Sequence, residues 1–200
     1  MPIAKESGLG DFKKVPEGVH IAICDMVVDL GMQRTKWQDE EKVSHKIYIR
    51  WQIPSERVEY EVDGKKKEGP MVIGSFFTLS LNRKSALRPI LESWRGRAFT
   101  ADELKGFDVA AVLGVACQLQ VIHNVVGDKT YANVRGVMPL PRGMEKPFPE
   151  GDLVGFEATS PTSVLDRLPK WLREKITSQV VPSIPTDGTP SSEFDDEIPF

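Results

Sequence analysis

The sequence holds only two cysteines, Cys24 and Cys117, in 200 residues. Two thiols cannot build a disulfide framework or a cysteine-rich zinc site. A reducing, cytoplasmic compartment is the expectation. The three histidines, His20, His45 and His123, stand at no metal-like spacing, so no metal and no cofactor is expected. No run of about 18 apolar residues occurs, which excludes a membrane-spanning helix. The first fourteen residues carry charge and no apolar block, so no secretory leader is expected. A Gly-x4-Gly-Lys-Ser/Thr pattern is missing, which argues against a phosphate-loop ATPase. The net charge of −3 offers no overall attraction to a polyanion.

The charge is unevenly spread. The last ten residues, SSEFDDEIPF, carry four acids and no base, and without them the net charge is +1. Between Met32 and Arg97 fourteen Lys and Arg face nine Asp and Glu. The chain therefore has a mildly basic body and an acidic end, and that polarity is more informative than the sum.

Proline divides the chain. Ten of the fifteen prolines lie between Pro139 and Phe200. The expected organisation is an N-terminal arm over 1–14, a folded domain over 15–142, a looser loop and short helical extension over 143–180, a flexible linker over 181–192 and an acidic tip over 193–200. Val164, Leu165, Leu168, Trp171, Leu172 and Ile176 follow an amphipathic helical spacing, which Pro169 breaks into two short pieces. The linker is rich in Pro, Ser, Thr and Gly and has no apolar period, so disorder is expected there.

The body reads as mainly β. Val15 to Leu30 predicts a long first strand with a bulge. Val43 to Pro54 alternates, with Ile47, Ile49, Trp51 and Ile53 on one face and Lys46, Tyr48, Arg50 and Gln52 on the other. Arg57 to Val62 predicts a further short strand before an Asp63-Gly64 turn, with Lys65 to Lys67 at its tip. Met71 to Leu81 predicts a strand with Ile73, Phe77, Leu79 and Leu81 in the core. Ser85 to Trp94 looks helical but interrupted by Pro89, and Thr100 with Glu103 forms a capping pattern. Val115 to Val126 and Tyr131 to Met138 complete the set. Five strands with a helix between the third and fourth match an OB-fold, a five-stranded Greek-key barrel.

The sequence ends Asp195-Asp196-Glu197-Ile198-Pro199-Phe200. This closely resembles the acidic tip of bacterial single-stranded-DNA-binding proteins, with Glu197 where the usual tip has Asp. The resemblance implies that Asp195, Asp196, Glu197, Ile198, Pro199 and Phe200 recruit replication, recombination or repair proteins. The physics fits: a terminal ring suits an apolar pocket, its carboxylate suits a cation, and Pro199 limits the entropy lost on docking. The stretches FFTLSLNRKSALRPILESWRGRAFTADEL, YANVRGVMPLPRG and LPKWLREKI resemble single-stranded-DNA-binding proteins of tailed bacteriophages. That resemblance implies a non-enzymatic coat for single strands during phage replication and recombination, working in the host cytoplasm. The body does not align with the bacterial core motifs, so tetramer formation is not carried over and homo-oligomerisation stays open.

Binding single strands without sequence preference needs cations for phosphates and rings for bases. Lys46, Tyr48 and Arg50 form a ring flanked by cations, on the face away from the core. Phe76, next to core residue Phe77, points outward or packs under a helix. Arg34, Lys36 and Trp37 fall in an expected loop, diluted by the acids after them. Arg83, Lys84, Arg88, Arg95 and Arg97 make a basic series around the helix. Tyr131 either stacks on a base or packs at the barrel edge. Two other classes stay open: a nuclease using Glu59, Glu61, Asp63 and Lys65, and a strand-annealing factor with a similar tip.

Overall fold

The computed structural model describes residues 13–37, 40–62, 64–157 and 159–180. Alternating β-branched and aromatic residues favour extended chain, and they build two long antiparallel partners, β1 (Gly18–Trp37) and β2 (Glu40–Val62). β3 (Lys65–Thr78) returns along β2, and α1 (Leu87–Arg95) follows it. β4 (Ala116–Val126) and β5 (Lys129–Pro139) form a further hairpin. β6 (Val154–Phe156) runs parallel to β1, then come α2 (Thr162–Asp166) and α3 (Lys170–Thr177).

The sheet order is β3-β2-β1-β4-β5, with β6 also on β1. β1 is therefore central. Its first residues, Gly18 to Ile23, pair with β4, and Met26 to Val28 pair with β6 on the same edge. β3 and β5 approach each other without a ladder between them, so the sheet is not closed.

Apolar layers lie on both faces. The larger core joins Ile47, Ile49, Trp51 and Ile53 of β2 to Leu87, Leu91 and Trp94 of α1, among others. The smaller one joins Met26, Val28 and Leu30 of β1 and Tyr48 of β2 to Val154, Leu168 and Leu172. The segment from Val154 to Ile176 is thus packed onto the sheet as an outer layer. Each turn of α2 and α3 contributes an apolar residue to that layer, which explains its attachment better than helix propensity does.

Several boundaries move for local reasons. Arg34, Lys36 and Trp37, expected in a loop, are the last strand residues of β1. Arg57 to Val62 continues β2, because a shift in register between Ile53 and Arg57 absorbs Pro54, which has no N–H for a ladder. Lys65 to Lys67 open β3 instead of capping a turn. β3 stops at Thr78, leaving Leu79 exposed while Leu81 still packs against the core. Pro89 does not break α1, since it sits in the first turn, where no intrahelical donor is needed. Thr100 and Glu103 do exchange backbone-to-side-chain hydrogen bonds, at 2.9 and 3.2 Å, but around a 3-10 turn at Glu103–Lys105.

Candidate nucleic-acid interface

Alternation along β2 turns Lys46, Tyr48, Arg50 and Gln52 away from the main core, but the face they form is covered. Tyr48 is only 8% exposed and belongs to the second apolar layer. The Trp171 ring of α3 meets it edge-on at 5.2 Å. Gly74 on β3 makes room for it: a Cβ there would lie 2.1 Å from the Tyr48 hydroxyl. Burial holds the Tyr48 phenol above its ordinary pKa. Tyr48 as an open stacking ring is therefore corrected, because α3 occupies the position a base would take.

Arg50 is corrected for a different reason. A bulge between Cys24 and Met26 puts the extra residue, Asp25, beside it. Asp25 is fully buried and accepts from Arg50 Nε at 3.1 Å and Nη2 at 2.7 Å. Gln52 Nε2 also donates to Asp25, at 2.9 Å. An isolated buried carboxylate is costly, so the fork geometry of arginine is used to neutralise it. That guanidinium is committed inside the protein and is not offered to phosphate.

The outer layer is a fixed part of the surface. Lifting α2 and α3 would return Met26, Val28, Leu30, Tyr48, Leu168 and Leu172 toward water. At about 1.5–3 kcal/mol per large side chain the penalty is on the order of 10 kcal/mol. That rivals the whole stability of a typical domain, about 5–15 kcal/mol. A ligand therefore meets the layer as it stands.

What the layer leaves open is a pair of rings. Phe76 of β3 is 49% exposed and Trp171 is 42% exposed, with centroids 6.1 Å apart. Tyr48 supports Phe76 from below at 5.0 Å. Lys175, one helical turn beyond Trp171, places its ammonium 5.4 Å from the Phe76 centroid. Lys46 pairs with Thr78 across the β2–β3 ladder, two residues along from Phe76, and donates to Thr78 Oγ1 at 2.8 Å. Desolvation, then the charge of Lys42, pushes the Lys46 ammonium below its ordinary pKa. Among the described residues, Lys42, Lys46 and Lys175 form no ion pair. Rings with cations near them are the kinds of group that a single strand of bases and phosphates requires.

No family model matches this chain, and no curated protein matches it. The site rests on its own geometry.

Most of the basic series is paired. Arg34 bonds Glu41 at 2.8 Å, Arg88 bonds Glu92 at 3.0 Å, and Arg95 and Arg97 share Glu103. Arg95 also lies over the rings of Phe99 and Phe107. These bonds, that from Arg97 first, hold the Glu103 carboxyl down at about 2. Arg83 and Lys84 are exposed and form no ion pair among the described residues. Tyr131 is 49% exposed on β5, sharing an outward face with Lys129, Asn133 and Arg135. Lys36 and the backbone of Trp37 end β1. The six tip residues and the 181–192 linker lie outside the described residues.

Trp171 and Lys175 were missed by the sequence reading, which assigned Trp171 to the buried stripe of its helix. Leu172 fills that stripe and is fully buried, so its neighbour, about 100° round the helix, stays half in water. Two adjacent bulky residues on a helix cannot both sit at the centre of its buried face, and that is the available signal. The histidines have structural partners: His45 meets Asp29 at 2.5 Å, and His20 and His123 meet the carbonyls of Pro16 and Val15. Among the described residues no group of three or more His, Cys, Asp or Glu is placed to hold a metal.

Proposed function

We propose that this protein binds single-stranded DNA without sequence preference, with Phe76 and Trp171 stacking on bases and Lys42, Lys46 and Lys175 neutralising phosphates. The observation that carries the reading is the half-exposed ring pair with Lys175 over Phe76 and with Lys46 and Lys42 along the neighbouring strand, none of the three in an ion pair among the described residues. A single strand offers both an exposed π-face and a charge at every nucleotide, whereas a duplex hides the first.

The strand order supports an OB-type reading of the sheet. β1 pairs with both β2 and β4, α1 lies between β3 and β4, and β3 and β5 come close at the open seam. We read this as a Greek-key barrel of the OB type, left unclosed. In the cell the protein is a non-catalytic coat for single strands in phage replication and recombination, acting in the host cytoplasm. Its acidic tip, Asp195 to Phe200, docks replication or repair proteins.

Titration with oligothymidylate, followed by tryptophan fluorescence, tests the DNA reading. Phe76→Ala and Trp171→Ala are each expected to weaken binding by about 1–3 kcal/mol. Thermal melting of Phe76→Ala should stay close to wild type, because half its ring is already in water. Equal affinity of wild type and both variants, or no binding by wild type, overturns the reading.

A further inference from the structure

The loop between β5 and β6 carries the most exposed aromatic ring among the described residues. Phe148 is 80% exposed, while Pro147 and Pro149 on either side are half-buried. Two prolines fix their own φ and restrict the residue before each, so the ring is held outward by a stiff backbone. The loop is also pinned directly after Pro149. Glu150 N–H donates to Gln52 Oε1 at 2.9 Å, and Gln52 Nε2 donates back to the Glu150 carbonyl at 2.9 Å. The Glu150 carboxylate is engaged by Arg57. Gln52 lies on the same outward row of β2 as Lys46 and Tyr48, four residues beyond Tyr48. α3 and this loop therefore cover successive parts of one strand face, and each presents a ring on top.

Charge selects the occupant. Arg142, Glu145 and Lys146 are exposed in the same loop and form no ion pair among the described residues, and Arg57 and Arg167 offset Glu150 and Asp152, so the loop keeps one net positive charge. A rigid exposed ring with unpaired cations suits a strand of stacked bases better than an apolar protein pocket. We propose that Phe148 is a second base-stacking site, with Arg142 and Lys146 taking phosphates beside it. This rests on the reading of the protein as a single-strand binder. It extends the contact surface from α3 to the far part of the outer layer.

The test uses the full chain and oligothymidylates of about 5 and about 20 nucleotides, chosen to bracket the span of one such domain. Phe148→Ala should weaken binding of the longer oligonucleotide by between about fivefold and about a hundredfold. It should leave the shorter one, held at Phe76 and Trp171, near the wild-type affinity. Phe148→Tyr keeps the ring and should restore binding. Arg142→Ala with Lys146→Ala should flatten the slope of log K against log salt by about 1.4, two phosphates at about 0.7 each. If Phe148→Ala binds the longer strand like wild type, or Phe148→Tyr binds as weakly as Phe148→Ala, this second site is wrong. If that happens while Phe76→Ala still loses affinity, only the second site falls. If wild type binds neither oligonucleotide, both readings fall.

Discussion

Tyr48 and Phe76 are paired across β2 and β3, yet one is buried and the other half in water. Their expected responses to truncation are therefore opposite. Tyr48→Ala removes a ring packed between Gly74 and Trp171, and should destabilise the fold by about 3–5 kcal/mol, as aromatic truncations in cores do. Asp25→Ala should also destabilise strongly, by about 3–5 kcal/mol, because it leaves the Arg50 charge without its partner. Urea unfolding of each variant measures this; a midpoint unchanged from wild type contradicts the packing described. The sequence identified which β2 residues point which way, and Trp51 is fully buried on the face assigned to the core. What lies on the opposite face is not written in β2. It is set by Leu168, Trp171 and Leu172, about 120 residues later, so alternation alone leaves Tyr48 ambiguous between water and a second layer.

At the scale of elements, local signals were legible wherever the chain itself supplies the partner. The Thr100–Glu103 exchange, the separation of α2 from α3 at Pro169 and the bulge in β1 belong to this class. The parallel pairing of β6 with β1 does not, since three residues carry no period. The turn after α1 has a pH signature. Glu103 has a carboxyl near 2 against an ordinary 4.5, held there by Arg97, the Thr100 N–H and Arg95. A lowered carboxyl stabilises the fold above about 4.5 and loses that contribution as pH falls toward about 2. Thermal melting should therefore drop between pH 5 and pH 2. In Glu103→Gln part of that drop should vanish, with lower stability at neutral pH. An unchanged pH profile in the variant would assign the acid sensitivity to other carboxylates.

For the whole molecule, the informative quantity is where unpaired charge remains. The basic excess between Met32 and Arg97 suggested a track around α1, but Glu92 and Glu103 neutralise most of that series. Among the described residues, the cations left without an ion pair include Lys46 and Lys175 near Phe76, Arg142 and Lys146 in the β5–β6 loop, and Arg83 and Lys84 before α1. If single strands bind as proposed, Lys42, Lys46 and Lys175 should give a slope of log K against log salt near −2, and Arg142 and Lys146 should bring it to about −3.5. Fluorescence titrations between about 50 and 200 mM salt measure it. A slope near zero would show that phosphates contribute little, and a slope far beyond about −3.5 would mean that the paired arginines also take part.

The described chain ends at Val180, whose N–H donates to the Met32 carbonyl at 2.8 Å. Beside it, Gln33 Nε2 donates to the Lys175 carbonyl at 2.9 Å, and Gly31, whose φ of +66° suits glycine, lies against the Gln179 side chain. Tension applied to the chain beyond residue 180 therefore reaches β1 first at Met32, in the half of the strand that pairs with β2 alone. The next elements to take the load are the end of α3 and, one turn further back, Trp171. A partner that grips the far end of this chain pulls on the helix that carries half of the ring pair.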